Sequence, residues 1–502
     1  MENEDSTISQ ITESPINLNV ERKKLAGWEF YEKTLGSPKY VVAPMVDQSE
    51  LAWRMLCRRY NAELCYSPMF HSNLFAKDPK YRKEALQTCA DDRPLIIQFC
   101  GNDPKIFLEA ALLAQDYCDA IDINLGCPQA IAKRGHYGAF LQDEWELLTD
   151  IVKTLHHNLS VPITCKIRVF EEKEKTVKYA KMLESAGCQL LTVHGRTREQ
   201  KGPNTGLADW SYIKLVRDSI KIPMFANGNI MCLKDVTRCL EETGVQGVMS
   251  AEGNLHNPAL FSGITPKTWD MASEYLDFVE IFPCPISYIR GHLFKLFHHL
   301  LNLKPNSKIR EELAVAREMW QFRSFVQKIK DKYEPFHEGI DFYVEEEIDP
   351  NIGSEIIKDY NLSLPPWLCQ PYIRPLPEIF KKIIEEKIKI AEDPLRIKRQ
   401  YYDEEGNEIS RKKMKRLRRK SRRPNKPEGS HERNIEACPI CTNPLGFKCE
   451  FKLCRHCCRD KCFEENFDCP GHKFFFKTKR ERKAFYNNLL KIDEKQNELD
   501  NL

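Results

Sequence analysis

The sequence predicts an α/β fold, a (β/α)8 barrel of the TIM type, followed by a helical segment and a cysteine-rich module that binds metal. Three observations lead to this prediction. Between Tyr40 and Phe261, short apolar runs alternate with amphipathic stretches, as in a series of βα units. From Ile286 onward the apolar residues recur at helical spacing. Eight of the 20 cysteines then crowd between Cys438 and Cys469, which is typical of metal ligands.

Eight apolar runs are the predicted barrel strands. They are Tyr40–Ala43, Leu64–Tyr66, Leu95–Phe99, Ala120–Ile123, Ile163–Ile167, Leu190–Val193, Met224–Ala226 and Gly247–Met249. Eight units within about 220 residues fit a barrel that commonly takes about 250 residues. Asp103 followed by Pro104 predicts the start of one intervening helix, because Pro is tolerated at the first helical position. A doubly wound sheet is the alternative fold, but no GxGxxG motif follows the first strand.

The composition bounds the class of protein. A chain of 502 residues is too long for one ordinary core, so we expect several domains. Its 42% hydrophobic and 30% charged residues are typical of a globular protein. The sequence has no apolar run of transmembrane length and no leader, and the twelve cysteines up to Cys369 are scattered singly. We therefore expect an intracellular protein, cytoplasmic and/or nuclear, without a membrane partner; a monomer is the working expectation.

Polar residues follow the predicted strands, where a barrel of this type carries its active site. They are Pro44-Met45, Ser67-Pro68, Gln98, Asn124, Lys166 with Arg168, His194 with Arg196, Asn227-Gly228-Asn229 and Ala251-Glu252-Gly253. The cations offer fixed positive charge, and the amides suit the edge of a heterocycle. The glycine-containing loops after the seventh and eighth strands suit a phosphate. Flavin mononucleotide (FMN) is the simplest cofactor that fits this set.

One cysteine stands out at these strand ends. Cys127 follows the fourth strand on a tight loop between Gly126 and Pro128, which restrict the backbone and hold the thiol in place. Such a thiol can be a nucleophile, an acid, a metal ligand or a buried packing residue. The residues alone leave these alternatives open.

Six motifs, in order along the chain, resemble those of the tRNA dihydrouridine synthases. They are Ala43-Pro44-Met45, Gln98-Phe99-Cys100-Gly101, Asp122–Pro128, Cys165-Lys166-Ile167-Arg168, His194-Gly195-Arg196-Thr197 and Asn227-Gly228-Asn229. The resemblance covers roughly Lys39 to Leu300. The segment Lys133–Ala139 and the cysteine-rich tail are most similar to the eukaryotic branch that acts at positions 16 and 17 of the D-loop.

The resemblance implies an FMN enzyme that reduces the C5–C6 double bond of a uridine in tRNA and is recharged by NADPH or NADH. In that family, hydride passes from N5 of the flavin to C6 of the base. The loop cysteine, here Cys127, protonates C5. A thiol with an unperturbed pKa of about 8.5 carries its proton at neutral pH and can serve as this acid.

The resemblance also implies the site residues. The cofactor residues are Pro44, Met45, Gln98, Lys166, His194, Asn227, Gly228, Asn229, Ala251, Glu252 and Gly253. The substrate RNA residues are Asn124, Lys133, Arg134, His136, Arg168 and Arg196, of which Asn124 and Arg168 flank the base. Many family members have Gly-Arg in the last loop, whereas this chain has Glu252. We therefore expect the backbone N–H of Gly253, rather than an acidic side chain, to contact the phosphate.

The predicted domains follow from these patterns. They are an N-terminal extension, partly disordered (1–38), the barrel (39–265), a helical domain (280–400), a basic linker (405–430), a zinc module (436–475) and a charged C-terminal helix (476–502). The resemblance implies that the helical domain is a small bundle that holds tRNA. Its candidate RNA-facing residues are Arg290, His292, Lys295, Arg310, Arg317 and Arg323.

Two features mark the C-terminal part. The run Arg411–Arg423 has ten Lys or Arg among thirteen residues, which indicates phosphate binding or nuclear localisation. The metal candidates are Cys438, Cys441, Cys449, Cys454, Cys457, Cys458, Cys462, Cys469 and His472. These nine residues are enough for two tetrahedral Zn²⁺ sites with one to spare, and their pairing stays open. Interleaved Lys and Arg favour a nucleic-acid-binding module, with a protein-binding module as the alternative.

Two other functions remain open from the sequence. One is an FMN barrel that acts on a small molecule, as dihydroorotate-type dehydrogenases do, although such an enzyme needs neither a basic tail nor a zinc module. The other is a tRNA-binding chaperone that has lost catalysis. The presence of Cys127, Lys166 and His194 speaks against the second alternative.

Overall fold

The computed structural model describes two compact units, Met1–Pro394 and Leu395–Leu502. The described residues are 24–343, 364–374, 377–379, 381–382, 384–385, 401–402, 408–409, 436–441, 443, 445–446, 448–472, 474–478 and 480–481. The predicted disordered start of the N-terminal extension, the basic run Arg411–Arg423 and most of the charged C-terminal helix lie outside these residues.

A closed, parallel, eight-stranded barrel forms the centre of the first unit and confirms the predicted fold class. Its strands are β1 (Tyr40–Val42), β2 (Leu64–His71), β3 (Leu95–Cys100), β4 (Ala120–Leu125), β5 (Ile163–Arg168), β6 (Leu190–His194), β7 (Met224–Asn227) and β8 (Gly247–Ser250). Neighbours along the chain pair in order, and β1 closes the barrel on β8 with Tyr40 opposite Val248. The strands are almost wholly buried, as expected where helices cover a parallel sheet.

The second strand differs from the prediction. It does not end at Tyr66 but continues to His71, where Met69, Phe70 and His71 pair with the end of β3. The register shifts between Tyr66 and Met69, which is where Pro68 lies. Because proline has no N–H to give to the ladder, it is accommodated at an irregularity rather than in a regular pair.

Helices surround the barrel. They are α1 (Gly27–Glu29), α2 (Leu51–Arg59), α3 (Ser72–Lys77), α4 (Pro79–Ala85), α5 (Pro104–Ala114), α6 (Ala130–Gly135), α7 (Trp145–Asn158), α8 (Lys173–Ala186), α9 (Trp210–Arg217), α10 (Leu233–Thr243) and α11 (Glu252–His256). The predicted cap of α5 is confirmed, since the Asp103 carboxylate accepts hydrogen bonds from the N–H groups of Lys105 and Ile106 at 3.0 and 3.1 Å.

Between residues 266 and 343, all of which the structure describes, five helices follow the barrel: α12 (Thr268–Ile281), α13 (Ile286–Leu296), α14 (His298–Asn302), α15 (Ser307–Val315) and α16 (Met319–His337). The predicted apolar stripe of α13 and α14 is core, with Leu293, Phe297 and Leu300 wholly buried. The prediction that His292 faces RNA is wrong. This side chain is buried, stacks on Trp53 of α2 with ring centroids 4.0 Å apart, and pairs with Glu50 at 3.0 Å.

The described helices also bear on the membrane prediction. Within the stretches of chain that the structure describes, no helix combines the length and apolar character needed to cross a bilayer.

The second unit contains a short antiparallel pair, β9 (Tyr401–Tyr402) with β10 (Glu408–Ile409), and a cysteine-lined fold. In the latter, α17 (Arg455–Glu464) is followed by β11 (Asp468–Cys469) and β12 (Phe474–Phe475), which pair antiparallel. The buried centre of this fold consists mainly of cysteines, together with Leu453. A core of this kind has little apolar area to stabilise it.

Candidate active site and metal sites

The carboxyl ends of the strands enclose a cavity of about 1070 Å³. Nine of the predicted site residues line it: Arg168, His194, Arg196, Asn227, Gly228, Asn229, Ala251, Glu252 and Gly253. Of the others, Gln98, Asn124, Cys127 and Lys166 connect to this group through hydrogen bonds, described below. Pro44 and Met45 follow β1 and do not line the cavity. Lys133 and Arg134 lie in α6, beyond Cys127, and His136 directly follows that helix.

A chain of hydrogen bonds runs across three strands to the Cys127 loop. Thr164 donates to one oxygen of Asp122 at 2.6 Å, and the Gln98 amide donates to the other at 2.7 Å. The Gln98 carbonyl accepts from the Asn124 amide at 2.7 Å. The Asn124 carbonyl in turn accepts from the backbone N–H of Cys127 at 3.0 Å. This series of hydrogen bonds fixes the backbone at Cys127.

Asp122 is the buried member of this chain. Burial raises the pKa of its carboxyl to about 6, although the hydrogen bonds from Thr164 and Gln98 and the charge of Lys166 oppose the rise. Asp122 lies in the Asp122–Pro128 motif, but the sequence did not predict its role. The sequence signal was available, since an acid in the middle of an apolar strand needs buried partners.

Contacts with Arg168, Gly138 and Ala139 also hold the Cys127 loop. Arg168 donates from Nε to the carbonyl of Gly126 at 2.9 Å, and the N–H of Ala139 donates to the carbonyl of Cys127 at 3.1 Å. Gly138 has a φ of +66°, and a Cβ there would lie 2.9 Å from the Cys127 carbonyl oxygen. The thiol itself is free and half-buried. The arrangement presents one reduced, partly accessible thiol on a rigid loop.

Lys166 and His194 lie on the neighbouring strands β5 and β6 at this end of the barrel. Lys166 donates from Nζ to the Asn227 carbonyl at 2.8 Å; burial, followed by the charge of Arg168, lowers the pKa of Lys166 to about 8. Burial, with the charges of Arg168 and Lys166, also lowers the pKa of His194 well below its ordinary value. His194 is therefore neutral near pH 7, which leaves one ring nitrogen as an acceptor.

Arg196 occupies that acceptor. Its Nη1 lies 3.1 Å from Nε2 of His194, so the proton of the neutral ring is on Nδ1. Its Nη2 donates to the side-chain oxygen Oδ1 of Asn229 at 2.7 Å and to the backbone carbonyl of Gly206 at 2.9 Å. Arg196 thus ties β6 to the loop after β7. This holds the Asn227-Gly228-Asn229 loop in the cavity wall.

The loops after β7 and β8 fit a phosphate. Gly228 has a φ of +112°, and a Cβ at Gly253 would lie 2.3 Å from the carbonyl of Ile230, so both positions need glycine. Both glycines line the cavity, so backbone rather than side chain faces it at these two positions. Together with the cations around the cavity, this donor set suits an anionic, planar cofactor of the kind predicted.

Glu252 does not carry a free negative charge at this end. It accepts two hydrogen bonds from Arg374, from Nε at 2.8 Å and from Nη2 at 2.7 Å, and Lys295 lies 3.6 Å away. Arg374 lines the same cavity with Tyr372 and Ile373. Sequence reasoning missed these three residues because they lie more than a hundred positions after β8 and carry no motif.

The residues predicted to contact RNA phosphates differ in their contacts within the protein. Lys133 and Arg134 are exposed in the last turn of α6. His136 follows in the left-handed region, with a φ of +53°, and its Nε2 lies 2.8 Å from the Glu144 carboxylate. Lys133 and Arg134 are therefore exposed cations on α6, and their contact with RNA stays a prediction.

Eight of the nine predicted metal ligands form two groups of four. One group is Cys438, Cys441, Cys454 and Cys457; the other is Cys449, Cys458, Cys469 and His472. Within each group all the ligand atoms lie within 4.8 Å of one another. The ninth, Cys462, belongs to neither group, with its sulfur 3.8 Å from that of Cys458. Four soft donors at this spacing can hold a tetrahedral ion.

The two groups are interleaved along the chain. Cys449 lies between the two halves of the first group, and Cys454 and Cys457 lie between ligands of the second. Each ion would therefore cross-link segments that the other ion also cross-links. The sequence could not show this pairing because ligand spacing alone permits several.

Comparison with known proteins adds a family to this geometry. The sequence model of the family described as "Dihydrouridine synthase (Dus)" matches residues 41–344. A Mus musculus protein named as an NAD(P)⁺-linked tRNA-dihydrouridine(16/17) synthase-like protein is 53% identical over 463 residues, 91% of this chain and 92% of the mouse protein. The Schizosaccharomyces pombe tRNA-dihydrouridine(16/17) synthase is 46% identical over 377 residues, 70% of this chain and 92% of the yeast protein. A mouse tRNA-dihydrouridine(20a/20b) synthase-like protein is 34% identical over 323 residues, 64% of this chain and 95% of that protein.

Proposed function

This chain belongs to the dihydrouridine synthase family, and from that premise we propose that it reduces the C5–C6 double bond of D-loop uridines in tRNA, at positions 16 and 17, with FMN as cofactor and NADPH or NADH as reductant. The observation that carries the proposal is the pairing of a rigid, half-buried thiol, Cys127, with a cationic cavity at the same mouth of the barrel.

The choice of position rests on the relatives. The chain is 53% and 46% identical to proteins named for positions 16 and 17, and 34% identical to one named for positions 20a and 20b. The mouse 16/17 relative also matches over 92% of its own length. This favours positions 16 and 17 for the present chain.

Several of the predicted cofactor residues suit FMN. The glycine loops at Gly228 and Gly253 suit its phosphate, and Lys166 lies on the wall where the ring would bind. The chemistry that FMN supplies when bound is hydride transfer from N5 to C6 of the uracil ring, after reduction by NADPH or NADH. The protein must hold the base against the ring and exclude water from it.

Cys127 supplies the second half of the reaction. Its thiol gives a proton to C5 of the base as hydride reaches C6, and the thiolate then takes a proton from solvent. Two electrons and two protons are thereby added across one double bond. The Asn124 side chain, which accepts a hydrogen bond from the loop, and Arg168, which donates one to it, hold the thiol in position without touching the reacting atoms.

The base reaches this site from a folded tRNA. A uridine in an RNA loop can be unstacked and turned into a pocket at modest cost. Lys133 and Arg134 are suited to the adjacent phosphates, because they are exposed on the segment that directly follows the Cys127 loop. We expect their replacement to weaken tRNA binding without changing FMN binding.

Zinc in the C-terminal module is the second part of the proposal. Each group offers thiolates, with one imidazole in the second group, and this ligand set favours Zn²⁺ over Mg²⁺ or Ca²⁺. Arg455 and Lys461 on α17 add positive charge beside aromatic rings, at 5.0 Å from Phe474 and 5.9 Å from Phe451. We propose that the module binds RNA.

Location and assembly complete the proposal. We propose a cytoplasmic and/or nuclear enzyme, which the basic run Arg411–Arg423 supports, and a monomer as its working state. Fluorescence microscopy of a fusion protein with and without the basic run tests the first point. Light scattering of the purified protein tests the second.

The direct test of the function is reduction of tRNA by the purified protein. Unmodified tRNA transcripts are incubated with the yellow holoprotein and NADPH or NADH, and the product is mapped by mass spectrometry of nuclease fragments. We expect uridines 16 and 17 to gain two hydrogens each, and transcripts without these uridines to remain unchanged. Turnover of dihydroorotate but not tRNA would instead support a small-molecule dehydrogenase, and a colourless protein that binds tRNA would support a chaperone.

A further inference from the structure

We propose that Arg374 binds the phosphate of the cofactor, on a segment that returns to the barrel mouth after the five helices. The proposal rests on the proposed function in that the ligand is FMN. It assigns a cofactor contact to a residue outside the part of the chain that the family model matches, residues 41–344.

The segment that carries Arg374 is firmly attached to the first unit. Upstream, Leu368 forms a bridge with Lys267, and the N–H of Cys369 donates to the carbonyl of Pro266 at 2.8 Å. The ring of Tyr372 packs on His298 with centroids 4.5 Å apart. These contacts bring residues 372–374 into the wall of the cavity and fix the position of Arg374 in it.

Arg374 reaches the phosphate end of the cavity rather than the thiol end. Its partner is Glu252, which begins α11 directly after β8, next to Gly253. The loops after the seventh and eighth strands are the usual phosphate site of such barrels. Nε and Nη2 of Arg374 are taken by Glu252, and Nη1 has no hydrogen-bond partner among the described residues. One donor pair therefore remains for an anion.

The charges at this end leave a positive excess. Arg374 and Lys295 together outweigh the single charge of Glu252, and Arg196 adds another cation on the neighbouring wall. Burial, then the charges of Arg168 and Arg374, lowers the pKa of Arg196 to about 10. Cations that disfavour one another's charge around a glycine-lined cavity are stabilised by an anion that binds between them.

Glu252 is then a positioning residue and not a phosphate ligand. Its carboxylate holds the guanidinium in a two-bond geometry that fixes the plane of Arg374. This accounts for an acid in a loop where an acid would repel phosphate. The sequence predicted Glu252 among the cofactor residues, and in this proposal it acts through Arg374.

The test separates the phosphate from the rest of the flavin. Full-length protein is stripped of flavin and titrated with FMN and with riboflavin, which lacks the phosphate, by fluorescence quenching. We expect Arg374→Ala to weaken FMN binding by about 10- to 100-fold, as for loss of a charged hydrogen bond, and to leave riboflavin binding within twofold. The matched control is Arg323→Ala, another surface arginine in ion pairs, with Asp277 and Glu280, and away from the cavity lining.

Two results would overturn the proposal. Equal loss of FMN and riboflavin affinity would mean that Arg374 only supports the fold of the cavity. Unchanged FMN affinity would mean that it does not contact the phosphate. Failure of the wild-type protein to bind either flavin would instead contradict the proposed function, so the two failures are distinguishable.

A second variant tests Glu252. In Arg374→Ala the Glu252 carboxylate loses its two-bond partner and adds repulsion to the loss of the cation. We therefore expect Arg374→Ala with Glu252→Gln to bind FMN more tightly than Arg374→Ala alone, again without a change for riboflavin. If the double variant binds FMN no more tightly, the unpaired Glu252 carboxylate does not repel the phosphate, and the explanation given for its pairing with Arg374 is wrong.

Discussion

The position of the Cys127 thiol depends on residues that do not touch it. Asp122 holds Gln98, Gln98 holds Asn124, and Asn124 holds the backbone of Cys127. Side chains in such a chain have one set of orientations, because each donor must meet an acceptor. The cost is a buried carboxylate.

That cost makes Asp122 a test of the account. Its folded-state pKa, about 6, lies above the unfolded value of 3.8, so the folded protein binds this proton more tightly. The contribution is absent below about pH 4. As pH rises through 6 the folded state loses about 3 kcal/mol relative to the unfolded state, and above that the loss is constant.

Asn at this position cannot ionise, so Asp122→Asn lacks the loss. We expect the thermal midpoint of flavin-free Asp122→Asn, measured relative to wild type by circular dichroism, to rise between about pH 4.5 and about pH 7. A constant or falling difference over this range would show that Asp122 is not the buried acid described here.

Residues of the site were predictable where each one follows a strand. Lys166, His194 and Asn227 were found in this way and meet at the cavity. Arg374 could not be found, because its place depends on how a distant segment packs. His292 was misassigned because it lies between the basic residues Arg290 and Lys295 in the sequence, whereas its side chain is buried against Trp53 from another helix.

At the scale of elements, the Cys127 loop and the segment after it form one unit. The chain leaves β4, forms α6, and returns so that Gly138 packs on the backbone of Cys127. A left-handed residue at close contact allows this return. A side chain there would move the loop that carries the thiol.

Gly138→Ala tests this contact. Its Cβ would lie 2.9 Å from the Cys127 carbonyl oxygen, so we expect kcat to fall by about 10- to 100-fold through misplacement of the thiol, with FMN affinity unchanged. Gly36→Ala is the control, since Gly36 has a similar φ of +76° and no atom within 4 Å of a Cβ. Equal effects of the two substitutions on kcat would mean that only backbone strain is being measured.

The metal module makes a separate prediction at this scale. We expect two Zn²⁺ per chain by elemental analysis of the full-length protein, one in Cys454→Ser and one in Cys449→Ser, because these residues belong to different groups. Cys462→Ser, which removes a buried thiol outside both groups, should retain two. Loss of metal from Cys462→Ser together with full retention in Cys449→Ser would show that Cys462 is the true ligand.

The strand pattern predicted the elements better than their ends. Apolar runs identified all eight strands, since both faces of each are buried. The extension of β2 past Pro68 was missed, because proline normally ends a strand and here pairing with β3 continues beyond it.

At the scale of the whole molecule, the barrel mouth is completed by chain from well beyond the barrel. Glu252 and Arg374 join the eighth strand to the segment after α16. Glu50 and His292 join α2 to α13 inside the first unit. The alternation of strands and helices could predict the barrel, but such long-range contacts have no local pattern and needed the structure.

The central claim is that Cys127 donates a proton to a uridine held at this mouth. Its most direct test separates the two halves of the reaction in an anaerobic stopped-flow experiment. Cys127→Ala holoprotein is first reduced with NADPH, and its flavin absorbance is then followed after unmodified tRNA is added. We expect reduction by NADPH at the wild-type rate and oxidation by tRNA slowed at least about 100-fold, the usual contribution of a general acid. Oxidation by tRNA at the wild-type rate would contradict the assignment of Cys127 as the acid.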